Sequence, residues 1–185
     1  MKIAVYGGSF NPPHISHALV ASWCLWTGLV DQVWMVPVFR HAFEDSHGKK
    51  LAPFKMRVMW CKSFSSDIHS GIIVSEVESL LPTPSYTVDT LLYLQDNFPE
   101  HHFRLLVGSD VLNQTQDWKQ WDTIESRFDP IVVGRSGYEN PDKTVAFPAI
   151  SSTEIRTELA EGRIPKSLLT ASLQRLLKES NPYAS

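Results

Sequence analysis

The sequence predicts an α/β fold in which a doubly wound parallel sheet carries helices on both faces. Three observations lead there. Short apolar runs alternate with helix-length segments along the whole chain. The first run, Ile3-Ala4-Val5, passes straight into a glycine turn and a helix start, YGGSFNPPHISH over residues 6–17. Two later runs also end in glycine turns, Gly108-Ser109-Asp110 and Gly134-Arg135-Ser136-Gly137-Tyr138. Ligands of such sheets bind outside the C-terminal strand ends, where these loops fall.

Taken in order, residues 3–5 form the first strand. Pro12 and Pro13 hold the following loop extended and delay the helix to about Pro13 or His14. Residues 18–30 are apolar on most faces and predict a buried helix. QVWMVPV, residues 32–38, is the second strand, and the polar segment 39–50 without periodicity predicts a mobile loop over the site. A helix over 52–65 places Met56, Met59, Trp60 and Phe64 near one face. A strand over 72–77 and a proline-punctuated loop over 80–84 follow. Ser85 is positioned to cap a helix running to about Phe98. Residues 103–107 are a strand, 117–124 a short helix, 130–133 and 144–147 two more strands. Ser151 and Glu154 have capping-box spacing for the next helix. An amphipathic helix over 168–178 completes the set.

Composition narrows the class. A chain of 185 residues suits one domain, 1–185, with a proper core. A net charge of −3 gives no reason for a nucleic-acid partner, so phosphate binding must come from placed groups. The most apolar window is shorter than the roughly 20 residues that span a bilayer, and no signal peptide is evident. A cytoplasmic protein without a membrane partner is expected, with Cys24 and Cys61 as free thiols.

The opening motif has its own chemistry. Gly7 and Gly8 let a ligand approach the backbone closely. The first amides of the helix have no internal partner, and its dipole adds positive charge, so a phosphate is a natural occupant. His14 and His17, three apart, share a face of that first turn and supply cationic hydrogen-bond donors beside it. A zinc site would want i, i+4 spacing or a third ligand, and neither is evident. The GxGxxG dinucleotide fingerprint lacks its third glycine.

Three further stretches have two readings each. SSTEIR, residues 151–156, is either a plain capped helix or an anion site offering free amides, hydroxyls and Arg156. Asp110 and Trp118 are either a helix cap and a core ring, or a ribose acceptor and a flat face for a pyridine ring. PSYTVDT, residues 84–90, either packs Tyr86 in the core or binds a carboxylate at the helix start.

GGSFNPPHISH resembles the GGSF[D/N]PPHxGH signature of nucleotidyltransferases, particularly the bacterial nicotinate-nucleotide adenylyltransferases. Ser16 departs from it, standing where that family has Gly. SSTEIR resembles the family's ISSTxIR motif, GSD with Trp118 its GxDxxxxxxxW, PSYT its SYT segment and Arg135 to Tyr138 its RxGY stretch. The resemblance implies a Rossmann-like fold and adenylyl transfer from ATP to nicotinate mononucleotide, with Mg²⁺ held mainly by the ATP phosphates. It implies His14, His17, Lys49 and Arg156 as catalytic, with Lys50 and Lys55 as other candidates for the lysine. ATP falls to Gly7, Gly8, Ser9, Phe10, His14, His17, Gly108, Arg135, Ser152, Thr153 and Arg156. The mononucleotide falls to Ser85, Tyr86, Thr87, Asp110 and Trp118. A homodimer is also suggested. The rival activities are transfer to nicotinamide mononucleotide or phosphopantetheine, and non-catalytic nucleotide sensing on the same fold.

Overall fold

In a computed structural model, residues 1–40, 51–138 and 145–184 are described. In chain order they form β1 (Lys2–Gly8), α1 (Ile15–Trp26), β2 (Gln32–Pro37), α2 (Phe54–Ser66), β3 (Ile72–Val74), a 3₁₀ turn (Val77–Leu80) and α3 (Thr87–Asn97). Then come β4 (His102–Gly108), a 3₁₀ segment (Ser109–Asp117), α4 (Trp121–Phe128), β5 (Ile131–Arg135), β6 (Ala146–Phe147), α5 (Ser152–Ala160) and α6 (Ala171–Glu179).

The strands make one parallel sheet in the order β3-β2-β1-β4-β5-β6. This is the doubly wound, Rossmann-like arrangement, with the strand order reversing beside β1. Alternate side chains of each strand feed opposite cores, as the period of 2 requires. Ala4, Val33, Met35 and Leu106 pack with Ala21, Cys24, Trp60, Phe64, Ile155, Leu159 and Leu173 of α1, α2, α5 and α6. Ile3, Val5, Phe103, Leu105 and Val107 pack on the other face with Val88, Leu91, Leu94, Ile124 and Phe128 of α3 and α4.

Several boundaries differ from those expected, each for a local reason. α1 stops at Trp26, and Gly28 turns the chain in the left-handed region at φ 69°. Leu19 and Trp26 face solvent, at 42% and 85% exposure, so α1 buries one face rather than its whole circumference. On α2 the buried face holds Trp60 and Phe64, but Met59 is exposed and Arg57 takes an interior place. β3 ends at Val74, and the Ser75 hydroxyl that follows accepts from the Val77 amide at the start of the next turn. Of the expected helix 117–124, Asp117 ends the 3₁₀ segment and residues 118–120 are not helical. Gln120 adopts φ 54°, and α4 starts only after it. α6 begins at Ala171, after a turn that buries Leu169. Ser85 does not cap α3. Tyr86 is its N-cap, and the Ser85 hydroxyl donates elsewhere. Of the expected strand 144–147, Ala146 and Phe147 are paired with β5, and Thr144 lies outside the described residues. The expected loop over the site lies outside them too, apart from Phe39 and Arg40.

Cys24 and Cys61 are free and buried, and burial pushes the Cys24 thiol up to about 12. Among the described residues, no helix is long and apolar enough to cross a membrane.

Candidate active site

The C-terminal ends of β1 and β4 diverge at the strand-order reversal, and the motif loops gather there. Phe10 has φ 44°, a costly conformation for a bulky residue, and its ring is buried. That ring lies where a Cβ on Gly8 would meet it at 3.1 Å, so glycine at this position lets the ring pack close against the loop. A Cβ on Gly7 would meet nothing within 4 Å, so there glycine leaves open space at the mouth of the site. Gly108 has a third reason: a Cβ there would collide with the Asp110 carboxylate.

His14 is the N-cap of α1, 5% exposed, and His17 stands one turn on. Their rings lie 3.8 Å apart between centroids, and His17 rests edge-on against Phe10. The His14 backbone N–H donates to His17 Nδ1 at 3.1 Å. A nitrogen that accepts from an amide carries no proton, so the proton of the neutral His17 ring is on Nε2. His14 Nδ1 is buried without a hydrogen-bond partner among the described residues. Burial, and then the Arg135 guanidinium, lower His14 from 6.5 to about 4. Burial, His14 and Arg135 hold His17 well below its ordinary value. The free site therefore presents two neutral imidazoles, not the cations expected from sequence.

The SSTEIR turn closes on the same place. Ser151 is the N-cap of α5, its hydroxyl accepting from the Thr153 amide at 3.1 Å. The Ser152 hydroxyl donates to the Pro12 carbonyl at 3.0 Å. Arg156 donates to the Asn11 carbonyl and to the Thr153 hydroxyl, both at 3.0 Å. Ser16 donates to the Pro148 carbonyl at 2.9 Å, so the departure from the motif adds a tie between α1 and the strand leading to α5. Ser9, Phe10, His14, His17, Arg135, Ser152, Thr153 and Arg156 line one cavity of about 220 Å³.

Two cavities adjoin it. One, of about 260 Å³, runs past Gly7, His14, Gly108, Asp110, Trp118 and Arg135. Asp110 Oδ2 accepts from Arg135 Nη1 at 2.6 Å, which draws its carboxylate to this side. Sequence grouped Asp110 with Ser85, Tyr86 and Thr87, but those three line the other cavity, of about 300 Å³, with Gly7, Gly8 and Ser9. Trp118 borders both. Lys49 and Lys50 lie outside the described residues. Lys55 is exposed on the first turn of α2 and lines none of these three cavities.

Sequence reasoning missed four supporting side chains. Arg57, 1% exposed, donates to the carbonyls of Ser9, Val38 and Ala52 and so braces the glycine loop from beneath. Glu78 accepts from the Phe39 amide and the Ser85 hydroxyl, both at 2.9 Å, and burial raises its carboxyl. Lys119 stands over the Tyr86 ring at 4.7 Å while pairing with Asp89 at 3.0 Å. Asn11, inside the quoted motif, is 2% exposed and heavily bonded. A charged residue on an otherwise apolar helix face was the one available sign of Arg57. Glu78 had none.

The arrangement can hold a chain of phosphates between two helix starts, beside an aromatic-walled pocket. Comparison with known proteins places the chain in a family. The sequence model of the cytidylyltransferase-like family matches residues 5–158. A protein of Anaeromyxobacter sp. (strain K), described as a probable nicotinate-nucleotide adenylyltransferase, is 40% identical over 185 residues, covering 98% of this chain and 96% of its own. One of Myxococcus xanthus with the same description is 34% identical, covering 99% and 95%. The solved structure of Plasmodium falciparum nicotinic acid mononucleotide adenylyltransferase complexed with NaAD has a TM-score of 0.78 over 98% of this chain and 97% of that one, at 19% identity, and so shares the fold.

Proposed function

The chain belongs to the cytidylyltransferase-like family and stands with its nicotinate-nucleotide adenylyltransferases, and from that premise we propose that it transfers the adenylyl group of ATP to nicotinate mononucleotide. The products are nicotinate adenine dinucleotide and pyrophosphate. The observation that supports this best is the convergence of the two histidines and the start of α5 on one cavity.

The 5′-phosphate of the mononucleotide attacks the α-phosphorus of ATP in line. A P–O bond forms to that phosphorus, the bridging bond to the β-phosphate breaks, and pyrophosphate leaves. A phosphate monoester is already a competent nucleophile, so the site's work is positioning and stabilisation of phosphoryl charge. His17 donates from Nε2–H as a neutral dipole. His14, whose buried Nδ1 has no partner among the described residues, takes up a proton as the triphosphate arrives, since a nearby anion favours the charged ring. Gly7, Gly8 and Ser9 offer backbone approach, and Phe10 holds His17 from behind. Ser152, Thr153 and Arg156 hold the outgoing pyrophosphate, and Gly108 and Arg135 border the adenosine. Ser85, Tyr86, Thr87 and Trp118 receive the mononucleotide, and Asp110, in the neighbouring cavity with Gly108 and Arg135, accepts from ribose hydroxyls. Lys49 is assigned to the phosphates.

Among the described residues no group of three or more His, Cys, Asp or Glu side chains is placed to hold a metal. Asp110, the carboxylate beside His14, is already paired with Arg135. These residues fit a Mg²⁺ carried by ATP phosphates and water, which supplies further charge neutralisation when bound. A second copy of the chain is the remaining partner, and sedimentation tests that homodimer.

The test is pyrophosphate release from ATP with nicotinate mononucleotide, nicotinamide mononucleotide and phosphopantetheine in turn. Turnover with the acid and little with the others is expected. Preference for either rival reassigns the substrate. ATP binding without turnover in any mixture makes the protein a sensor.

A further inference from the structure

We propose that Tyr183, in the segment after α6, is a positioning residue for the histidine-bearing loop and acts on it through Asn11. This rests on the adenylyl-transfer reading above, but nothing in that reading uses residues beyond Arg156.

Asn11 lies between the strained Phe10 and Pro12, three residues before His14, and lines the phosphate-side cavity. Four donors from three parts of the chain meet on it or on its neighbour. Its Oδ1 accepts from the Tyr183 hydroxyl at 2.6 Å and from the Ala52 amide at 3.0 Å. Its carbonyl accepts from Arg156, and the next carbonyl, of Pro12, accepts from Ser152. The loop is thus held from the α2 side, from α5 and from the segment after α6 at once.

Tyr183 is itself anchored away from the site. Its ring packs beside Trp60, which is fully buried, at 6.1 Å. Its amide donates to Asn181 Oδ1, and the Asn181 side chain donates to the carbonyl of Leu159 near the end of α5. The segment is therefore a strap from the C-terminal end of α5 to the loop at the start of α1. Burial raises the Tyr183 phenol, which keeps it a donor. Its hydroxyl lines neither the phosphate-side cavity nor the two beside it, so it acts by holding Asn11. A backbone with a bulky residue at positive φ stays in place only while its surroundings hold it there. Small losses of position at reacting groups are costly in rate.

The variant is Tyr183→Phe, which keeps the ring against Trp60 and removes one hydroxyl. Ser172→Ala is the control. It removes the Ser172 hydroxyl bond to Asp67, which ties α6 to α2 away from the cavities. For Tyr183→Phe, kcat should fall roughly 3- to 10-fold, the usual worth of one neutral hydrogen bond. The ATP KM should rise and the mononucleotide KM stay unchanged, since Asn11 borders the phosphate-side cavity and not the pocket of Ser85, Tyr86 and Thr87. Ser172→Ala should lose comparable thermal stability with kcat intact. Wild-type kcat and ATP KM in Tyr183→Phe would overturn the proposal, as would an equal kcat loss in Ser172→Ala. If the wild-type chain turns over none of the mononucleotides, the functional reading fails separately. ATP affinity by calorimetry then decides this inference: a 3- to 10-fold weakening in Tyr183→Phe supports it, and unchanged affinity removes it.

Discussion

His17 has one nitrogen committed to an amide and the other left to donate, so its ring is oriented before any ligand arrives. Pre-set donors of this kind are the ones whose loss costs most. His17→Ala should therefore lower kcat by about 10²- to 10³-fold with its circular dichroism unchanged. Near-normal pyrophosphate release would remove the residue from the mechanism. His14 carries a second consequence. Its native value of about 4 lies below the ordinary 6.5, so the unfolded chain takes up the proton first as pH falls. Stability contributed by the neutral ring is complete above 6.5, declines between 6.5 and about 4, and is gone below. The loss should be about 3 kcal/mol, with His17 adding in the same direction. Urea titrations from pH 7 to 4 should show this slope, and His14→Asn should flatten it. A slope unaltered in that variant would place the responsible group elsewhere.

At the scale of elements, the loop between β1 and α1 contains adjacent glycines with different reasons for being there. Gly8→Ala drives a methyl against the Phe10 ring at 3.1 Å, an overpacking that should cost about 1–3 kcal/mol in thermal unfolding. Gly7→Ala meets no protein atom within 4 Å, so it should leave Tm unchanged and raise the KM of the nucleotides that fill that space. The reverse outcome, a destabilised Gly7→Ala with unaltered KM, would mean that the open space is not where substrate sits. Element boundaries were legible at Pro12-Pro13, which delay the start of α1, but not at Gly28, where the apolar run continuing to Val30 hid the turn. They were not legible at residues 118–120, whose composition suits a helix. There the break is made by the left-handed Gln120 and by the burial of Ile124 and Phe128 on α3 and β4, a tertiary demand. Ser85 misled for a related reason: it has the right chemistry for a cap, but a buried carboxylate seven residues earlier takes its hydroxyl.

Over the whole molecule, the sheet sets the loops after β1 and β4 on the same edge, and a buried polar framework then sets those loops to working distance. Arg57 is the centre of that framework, with three carbonyls on one guanidinium. Arg57→Met should lower stability by about 3 kcal/mol, because it leaves buried acceptors unsatisfied, and it should reduce kcat by freeing the Ser9 carbonyl. Chemical denaturation beside steady-state kinetics checks both; intact kcat would confine Arg57 to folding. The sequence by itself determined the alternation of strands and helices, the parallel sheet and the motifs at its C-terminal edge. Those follow from local periodicity, turn chemistry and residue type, all of which neighbouring residues settle among themselves. Only the tertiary structure decided that the histidines are neutral, that Asp110 turns to Arg135, and that Arg57, Glu78 and Tyr183 brace the loops. Each of these depends on burial and on partners dozens of residues away, and no local pattern encodes either.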